Sequence, residues 1–191
     1  MKILRFFLLF FLVSCSTSAF VPESTVSNSR SFHNFSAHLL SGEEVNFSKF
    51  QDNVVLLANI ALKCGTTPQL NELQQLHEKY SNKGLVVLAF PSNSFTGATE
   101  PTDSRDINSI CTENFGVTFP VFELSSCAGH DTSEVFAFLT TDLEESMKGP
   151  VSFNFEKFLI DKSGKIRHRF GSFTGATSDV VIESVEKLLD E

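Results

Sequence analysis

The sequence predicts an α/β fold with a mixed central sheet flanked by helices. Three observations carry that prediction. Val54–Ile60 and Leu85–Phe90 are continuous apolar runs of strand length, as expected for strands covered on both faces. Between them, Leu70, Leu73, Leu76 and Tyr80 recur at helical spacing. Near the C-terminus, Phe153–Ile160 and Ile166–Phe170 flank Asp161-Lys162-Ser163-Gly164, a turn signal that makes them an antiparallel hairpin. Strand-helix-strand units followed by a hairpin and a helix give a sheet with both strand directions and helices on both faces.

Met1–Arg5 is a short basic start, Phe6–Val13 is uninterruptedly apolar, and Ser14–Ala19 supplies the small residues of a cleavage site. Residues 1–19 therefore read as a signal peptide, too short for a comfortable membrane span. Residues 20–31 are Ser-rich and read as an unstructured transit or linker segment. The folded domain is expected over 32–191. Phe32–Leu40, Ser41-Gly42 and Val45–Phe47 form a small hairpin in this reading. The first long helix runs from Thr67 to Tyr80, with Gly84 closing it. Asp103–Phe115 is a helix capped by Thr102 or Asp103 and stopped at Gly116. Phe119–Phe122 is a short strand, Thr132–Asp142 a helix, and Ser178–Leu189 an amphipathic helix with Val181, Val185, Leu188 and Leu189 inward.

The chain of 191 residues is 41% hydrophobic, enough for one domain with a proper core, and its 21 phenylalanines are best read as that core. Its formal net charge is −8, and removing the leader takes Lys2 and Arg5 but no acid. An acidic domain without a basic cluster argues against nucleic acid and anionic membrane surfaces as partners. Cys15 lies in the leader, which leaves Cys64, Cys111 and Cys127. An odd count is a poor disulfide framework and leaves a thiol free. Five scattered histidines offer no paired metal-ligand spacing, so no metal and no cofactor are expected.

Cys64 stands where an apolar strand enters an amphipathic helix, in Asn59-Ile60-Ala61-Leu62-Lys63-Cys64-Gly65-Thr66-Thr67-Pro68-Gln69. Unpaired N–H groups at a helix start favour a nearby negative charge, and Lys63 is a second reason to expect a thiolate. The alternative is an inert buried thiol. Cys111 is either a reactive thiol or one on the inner face of its helix. Cys127, in Ser125-Ser126-Cys127-Ala128-Gly129, reads as an incidental surface thiol, and His130 and His168 as solvated.

Around these residues, four ordered motifs resemble the glutathione peroxidase family. They are Asn59–Gln69, Phe90-Pro91-Ser92-Asn93-Ser94-Phe95, Cys111-Thr112 with Gly116-Val117-Thr118-Phe119-Pro120, and Phe153-Asn154-Phe155-Glu156-Lys157-Phe158-Leu159 with Asp161 and Gly164. The resemblance covers Phe32 to the C-terminus and implies a thioredoxin-like fold. It places the peroxidatic residue at Cys64, the active-site asparagine at Asn154 and the resolving cysteine of the thioredoxin-dependent branch at Cys111. The family's glutamine and tryptophan, both N–H donors near the sulfur, fall at Ser94 and Phe153; Ser92 replaces a cysteine that is not the resolving one. The short segment before Phe153 resembles the smaller, often monomeric members.

The resemblance implies a thiol peroxidase that reduces hydroperoxides through a sulfenic acid and an intramolecular disulfide, with thioredoxin or glutathione as reductant. The alternative is a degenerate relative acting as a redox sensor or binding protein, motivated by Ser94 and Phe153. A disulfide oxidoreductase is disfavoured by the missing Cys-x-x-Cys, and a peroxiredoxin by Ala61 where Thr-x-x-Cys needs threonine. Ser18-Ala19-Phe20-Val21-Pro22 resembles the cleavage motif of proteins sent to complex plastids through the secretory pathway; secretion or a cell-envelope lipoprotein is the rival expectation.

Overall fold

The computed structural model describes residues 30–95 and 100–191, so the signal-peptide reading and most of the Ser-rich segment lie outside it. Four strands form the central sheet in the order β4-β3-β5-β6. β3 (Val54–Ile60) pairs in parallel with β4 (Leu85–Pro91) and antiparallel with β5 (Lys157–Ile160), which pairs antiparallel with β6 (Ile166–Phe170). A separate two-stranded ribbon, β1 (Ser36–His38) with β2 (Glu44–Asn46), supplies the expected hairpin.

Period-two alternation sorts the side chains between two cores. Val54, Leu56, Ala58 and Ile60 of β3 pack with α1 (Gln69–Tyr80) and α4 (Asp179–Asp190), through Leu70, Leu73, Val181 and Val185. Val55 and Leu57 face the opposite way, into a phenylalanine-rich layer with α3 (Glu134–Thr141). There Phe90 and Phe122 stack at 4.4 Å and Phe136 meets Phe90 edge-on at 5.7 Å. Helices thus cover both faces of a mixed sheet. Among the described residues no helix is long and apolar enough to cross a membrane.

Three elements differ from expectation. The 103–115 helix is α2 (Ser104–Ser109), capped by the Asp103 side chain, followed by a single wide π-helical turn, Ile110–Asn114. The strand expected at 119–122 contracts to two single bridges, Val121 to Ala89 and Phe122 to Leu39. The strand expected at 153–160 begins only at Lys157, because Phe155 adopts φ 62° and breaks the extended run. A left-handed conformation costs a bulky residue about 1–3 kcal/mol and requires the surroundings to impose it.

Part of that imposition comes from Arg169 on β6. Its guanidinium donates to the Glu156 carboxylate at 2.8 and 2.6 Å and to the carbonyls of Met147, Gly149 and Pro150 at 3.0, 2.7 and 2.7 Å. Glu156 in turn accepts from the Ser152 N–H at 2.8 Å. Arg169 therefore fastens the whole approach to residues 153–156. Arg169→Met leaves the buried Glu156 carboxylate without its charged partner and several carbonyls without the guanidinium donor, and is expected to cost about 3–5 kcal/mol, measured by urea unfolding.

Candidate active site

The site lies at the C-terminal edge of β3, where the chain leaves the sheet through Ala61–Pro68. That passage is a ladder of tight turns: Thr67 N–H donates to the Cys64 carbonyl at 3.1 Å, Gln69 N–H to Thr66 at 3.0 Å and Leu70 N–H to Thr67 at 3.0 Å. Thr67 knots it from inside. Its hydroxyl accepts from the Cys64 N–H at 3.1 Å and reaches the carbonyl of Ala61 at 2.9 Å. The ladder feeds directly into α1, so Cys64 sits half-buried one turn ahead of the helix, with Thr66 Oγ1 3.1 Å from its sulfur.

Asn154 approaches from the other side. It is fully buried, and neither its amide nitrogen nor its amide oxygen has a hydrogen-bond partner among the described residues. The amide nevertheless stands close enough to Cys64 to favour the thiolate. A buried amide without a partner carries a cost, and its donors remain free for a polar group at the sulfur.

The electrostatics separate the three thiols. Burial pushes Cys64 up and the Glu100 carboxylate acts in the same direction, but the hydroxyl and N–H of Thr66 and the Asn154 amide outweigh both and hold it below the ordinary thiol value. Cys111, in the π-helical turn, is buried against the α1 and α4 core; desolvation, aided by Glu100, pushes it up to about 12. Burial also pushes up Cys127, against hydrogen bonds from Ser92, Ser94 and Asn59. One thiol is poised as a nucleophile and two are stored protonated.

A glutathione peroxidase family profile matches residues 32–140, more than half the chain. The chain belongs to the glutathione peroxidase family. The glutathione peroxidase-like peroxiredoxin GPX5 of Chlamydomonas reinhardtii is 42% identical over 159 residues, covering 83% of this chain and 96% of its own. The hydroperoxy fatty acid reductase gpx1 of Synechocystis sp. is 37% identical over 172 residues, covering 86% and 99%. Among solved structures, the crystal structure of Trgpx in apo form superposes with a TM-score of 0.69 at 28% identity, covering 85% of this chain and 97% of that one. This settles the thioredoxin-like fold of the family.

Several expected roles change on the structure. Ser94 does not serve the Cys64 sulfur: its hydroxyl accepts from the Cys127 N–H at 3.1 Å and lies 3.0 Å from Ser92 Oγ. Lys63 is exposed, and the main influences that lower Cys64 are Thr66 and Asn154; the Lys63 backbone donates to Glu100 at 2.9 Å. Cys127 is 1% exposed, so it is no surface thiol. His168 is half-buried and stacks on Phe170, whereas His130 is exposed as expected. Phe153 is half-buried beside Asn154 and joins Phe95 and Phe173 in a short aromatic row, with centroids 6.0 and 6.2 Å apart.

Two polar residues that sequence reasoning passed over complete the site. Asn59, on β3, bridges to residues 153–156 through three hydrogen bonds: its amide donates to the Phe153 carbonyl at 3.1 Å and accepts from the Glu156 N–H at 2.9 Å, and its own carbonyl accepts from Phe155 N–H at 2.7 Å. Glu100, only 4% exposed, accepts from the backbone of Leu62 and Lys63. An asparagine inside an otherwise apolar strand was the available signal for the first; nothing local to Glu100 distinguishes it.

Two expectations follow from the thiols. Thr66→Val keeps the backbone N–H but deletes the hydroxyl, so the pH midpoint of Cys64 alkylation moves upward; an unchanged midpoint contradicts the donor role. Cys111 rises from 9.0 unfolded to about 12 folded. Its contribution to stability is therefore fully present below about pH 9 and lost as pH climbs towards 12, because the unfolded chain gives up its proton first. Cys111→Val in a Cys64→Ser background should unfold with a flatter alkaline decline, read from urea midpoints on either side of about pH 9.

Proposed function

We propose that this protein is a thiol peroxidase in which Cys64 is the peroxidatic residue and Cys111 the resolving one. The observation that carries the reading is the buried, unpartnered Asn154 amide beside a thiol held below its ordinary value. The Cys64 thiolate attacks the terminal oxygen of a hydroperoxide. An S–O bond forms, the O–O bond breaks, and the alkoxide or hydroxide leaves as alcohol or water after taking a proton, leaving a sulfenic acid. In this reading Thr66 and Asn154 hold the thiolate and donate to the departing oxygen, which the Thr66 contact and the lowered Cys64 support.

Cys111 then attacks the sulfenic sulfur. An S–S bond forms, the S–O bond breaks and water leaves; an external dithiol of the thioredoxin class reduces the disulfide. Cys111 is fully buried, so this step needs local opening. A six-residue helix followed by one π-helical turn is a suitable unit, held by few bonds beyond its Asp103 cap.

The hydroperoxide is organic in preference to hydrogen peroxide. Phe95, Phe153 and Phe173 line up beside Asn154, and Phe173 is 84% exposed. A relative named a hydroperoxy fatty acid reductase supports the same choice. The protein works as a monomer in the oxidative-stress response of a plastid, reached through the secretory pathway by way of residues 1–19 and then the Ser-rich segment. A reducing stroma suits free thiols supplied by a dithiol. Fusion of residues 1–40 to a fluorescent protein tests the address, and signal in the medium or cell envelope overturns it.

NADPH-coupled consumption of fatty-acid hydroperoxide and of hydrogen peroxide, run with thioredoxin and with glutathione, tests the enzyme. Sustained turnover with thioredoxin is expected, lost in Cys64→Ser, and one equivalent of peroxide should yield a Cys64–Cys111 disulfide by peptide mapping. A Cys64–Cys127 link transfers the resolving role, and oxidation without turnover leaves a sensor.

A further inference from the structure

Glu100 is a buried carboxylate that the peroxidase chemistry does not use. Both of its oxygens accept from consecutive backbone groups, the N–H of Leu62 and the N–H of Lys63, the second at 2.9 Å. These are the two residues immediately before Cys64. Among the described residues no lysine, arginine or histidine forms an ion pair with it, so its charge is met by backbone dipoles. Glu100 also roots the segment of the resolving residue: Pro101 and Thr102 follow, then the Asp103 cap, α2 and the turn of Cys111.

Building on the reading of Cys64 as the peroxidatic residue, we propose that Glu100 is a positioning residue, a carboxylate pin that fixes the peroxidatic turn and ties it to the root of the Cys111 segment. The physical argument has two parts. A carboxylate bridging two successive N–H groups leaves that stretch of backbone one orientation, and the orientation of residues 62 and 63 decides where Cys64 meets Thr66 and Asn154. The pin is also an anion. The titratable groups facing it are Cys64 from the turn and Cys111 from the π-helical turn, and it disfavours the thiolate of each. Correct placement is thus obtained against a counteracting charge, which an inert structural acid far from the sulfurs does not impose.

Those two effects have opposite signs in one substitution. Glu100→Gln removes the charge and can offer an acceptor to only one of the two N–H groups. Its Cys64 alkylation midpoint should lie at lower pH than that of Glu100→Asp, which loosens the same turn but keeps the charge, because iodoacetamide requires only a thiolate. Its second-order rate with hydroperoxide, measured by stopped flow, should fall by about tenfold, because that step also needs placed donors. Unchanged alkylation and peroxide profiles, or both rates altered by one common factor, overturn the proposal even if the melting temperature drops. Glu100→Asp keeps the charge on an arm one methylene shorter and covers the case in which the glutamine variant does not fold. It should lower the peroxide rate with the alkylation midpoint at or above the wild-type one, because the charge stays while the donors are less well placed, and a wild-type peroxide rate in a folded Glu100→Asp overturns the pin. If wild-type Cys64 fails to react with peroxide at all, the peroxidase reading falls instead; the alkylation arm reads Glu100 regardless.

Discussion

The Asn59 carboxamide supplies the constraint on which the site depends. β3 and β5 pair regularly from Val55–Ile160 to Ala58–Lys157, and one residue further the ladder fails because Phe155 turns left-handed. An open sheet edge at that point would leave several buried backbone groups unpaired, each a cost of about 1–3 kcal/mol. Asn59 extends the pairing with its side chain, bonding Phe153 and Glu156, while its backbone bonds Phe155. The consequence is geometric. A continuous strand would alternate residues 153–156 regularly between the faces; the break instead lets Asn154 reach the edge where Cys64 emerges. Strain at Phe155 and a buried amide at Asn59 are two halves of one device, and Arg169 secures it from the sheet's far side by holding Glu156.

The three cysteines then acquire different characters from one variable, the balance of desolvation against donors. Cys64 is only half-buried and has a hydroxyl, an N–H and an amide directed at it. Cys111 has burial and no compensating donor. Cys127 has donors, but more burial than they offset. A lowered thiol and a buried, raised one are thereby available in the same reduced fold.

The sequence carried the strands, α1, α4 and the hairpin because apolar periodicity and turn chemistry are local. It pointed to Cys64 and Asn154, which the fold brings close to one another, because their motifs contain enough neighbours to be recognised together. It misled wherever the decisive partner was distant. Ser94 stands where the resemblance puts a donor to the sulfur, yet its short hydroxyl finds the Cys127 N–H instead. Lys63 suggested a side-chain charge where the structure uses its backbone. The Phe153–Ile160 run looks like one strand because β-propensity does not register a single positive φ imposed by tertiary contacts. Glu100 was illegible for the same reason: its role exists only once the 62–63 backbone is folded against it.

Lys157 extends the argument to the other wall of the site. It is fully buried on β5, and desolvation lowers it to about 8, although Glu72 and Glu156 act to raise it. Its ammonium donates to Gln69 Oε1 at 2.8 Å and to the Thr174 carbonyl, and Gln69 donates to the Ser172 carbonyl at 2.7 Å. The first residue of α1 is thus bound to the loop that presents Phe173. A Cβ at Gly175 would lie 2.4 Å from Glu72 Oε2, so a larger residue there would make the Glu72 side chain move aside. A hydrophobic residue at 157 would fill the space more cheaply but could not reach across to two chain segments at once. The buried ammonium thereby joins the start of α1, which follows the Cys64 turn, to the loop that carries Phe173.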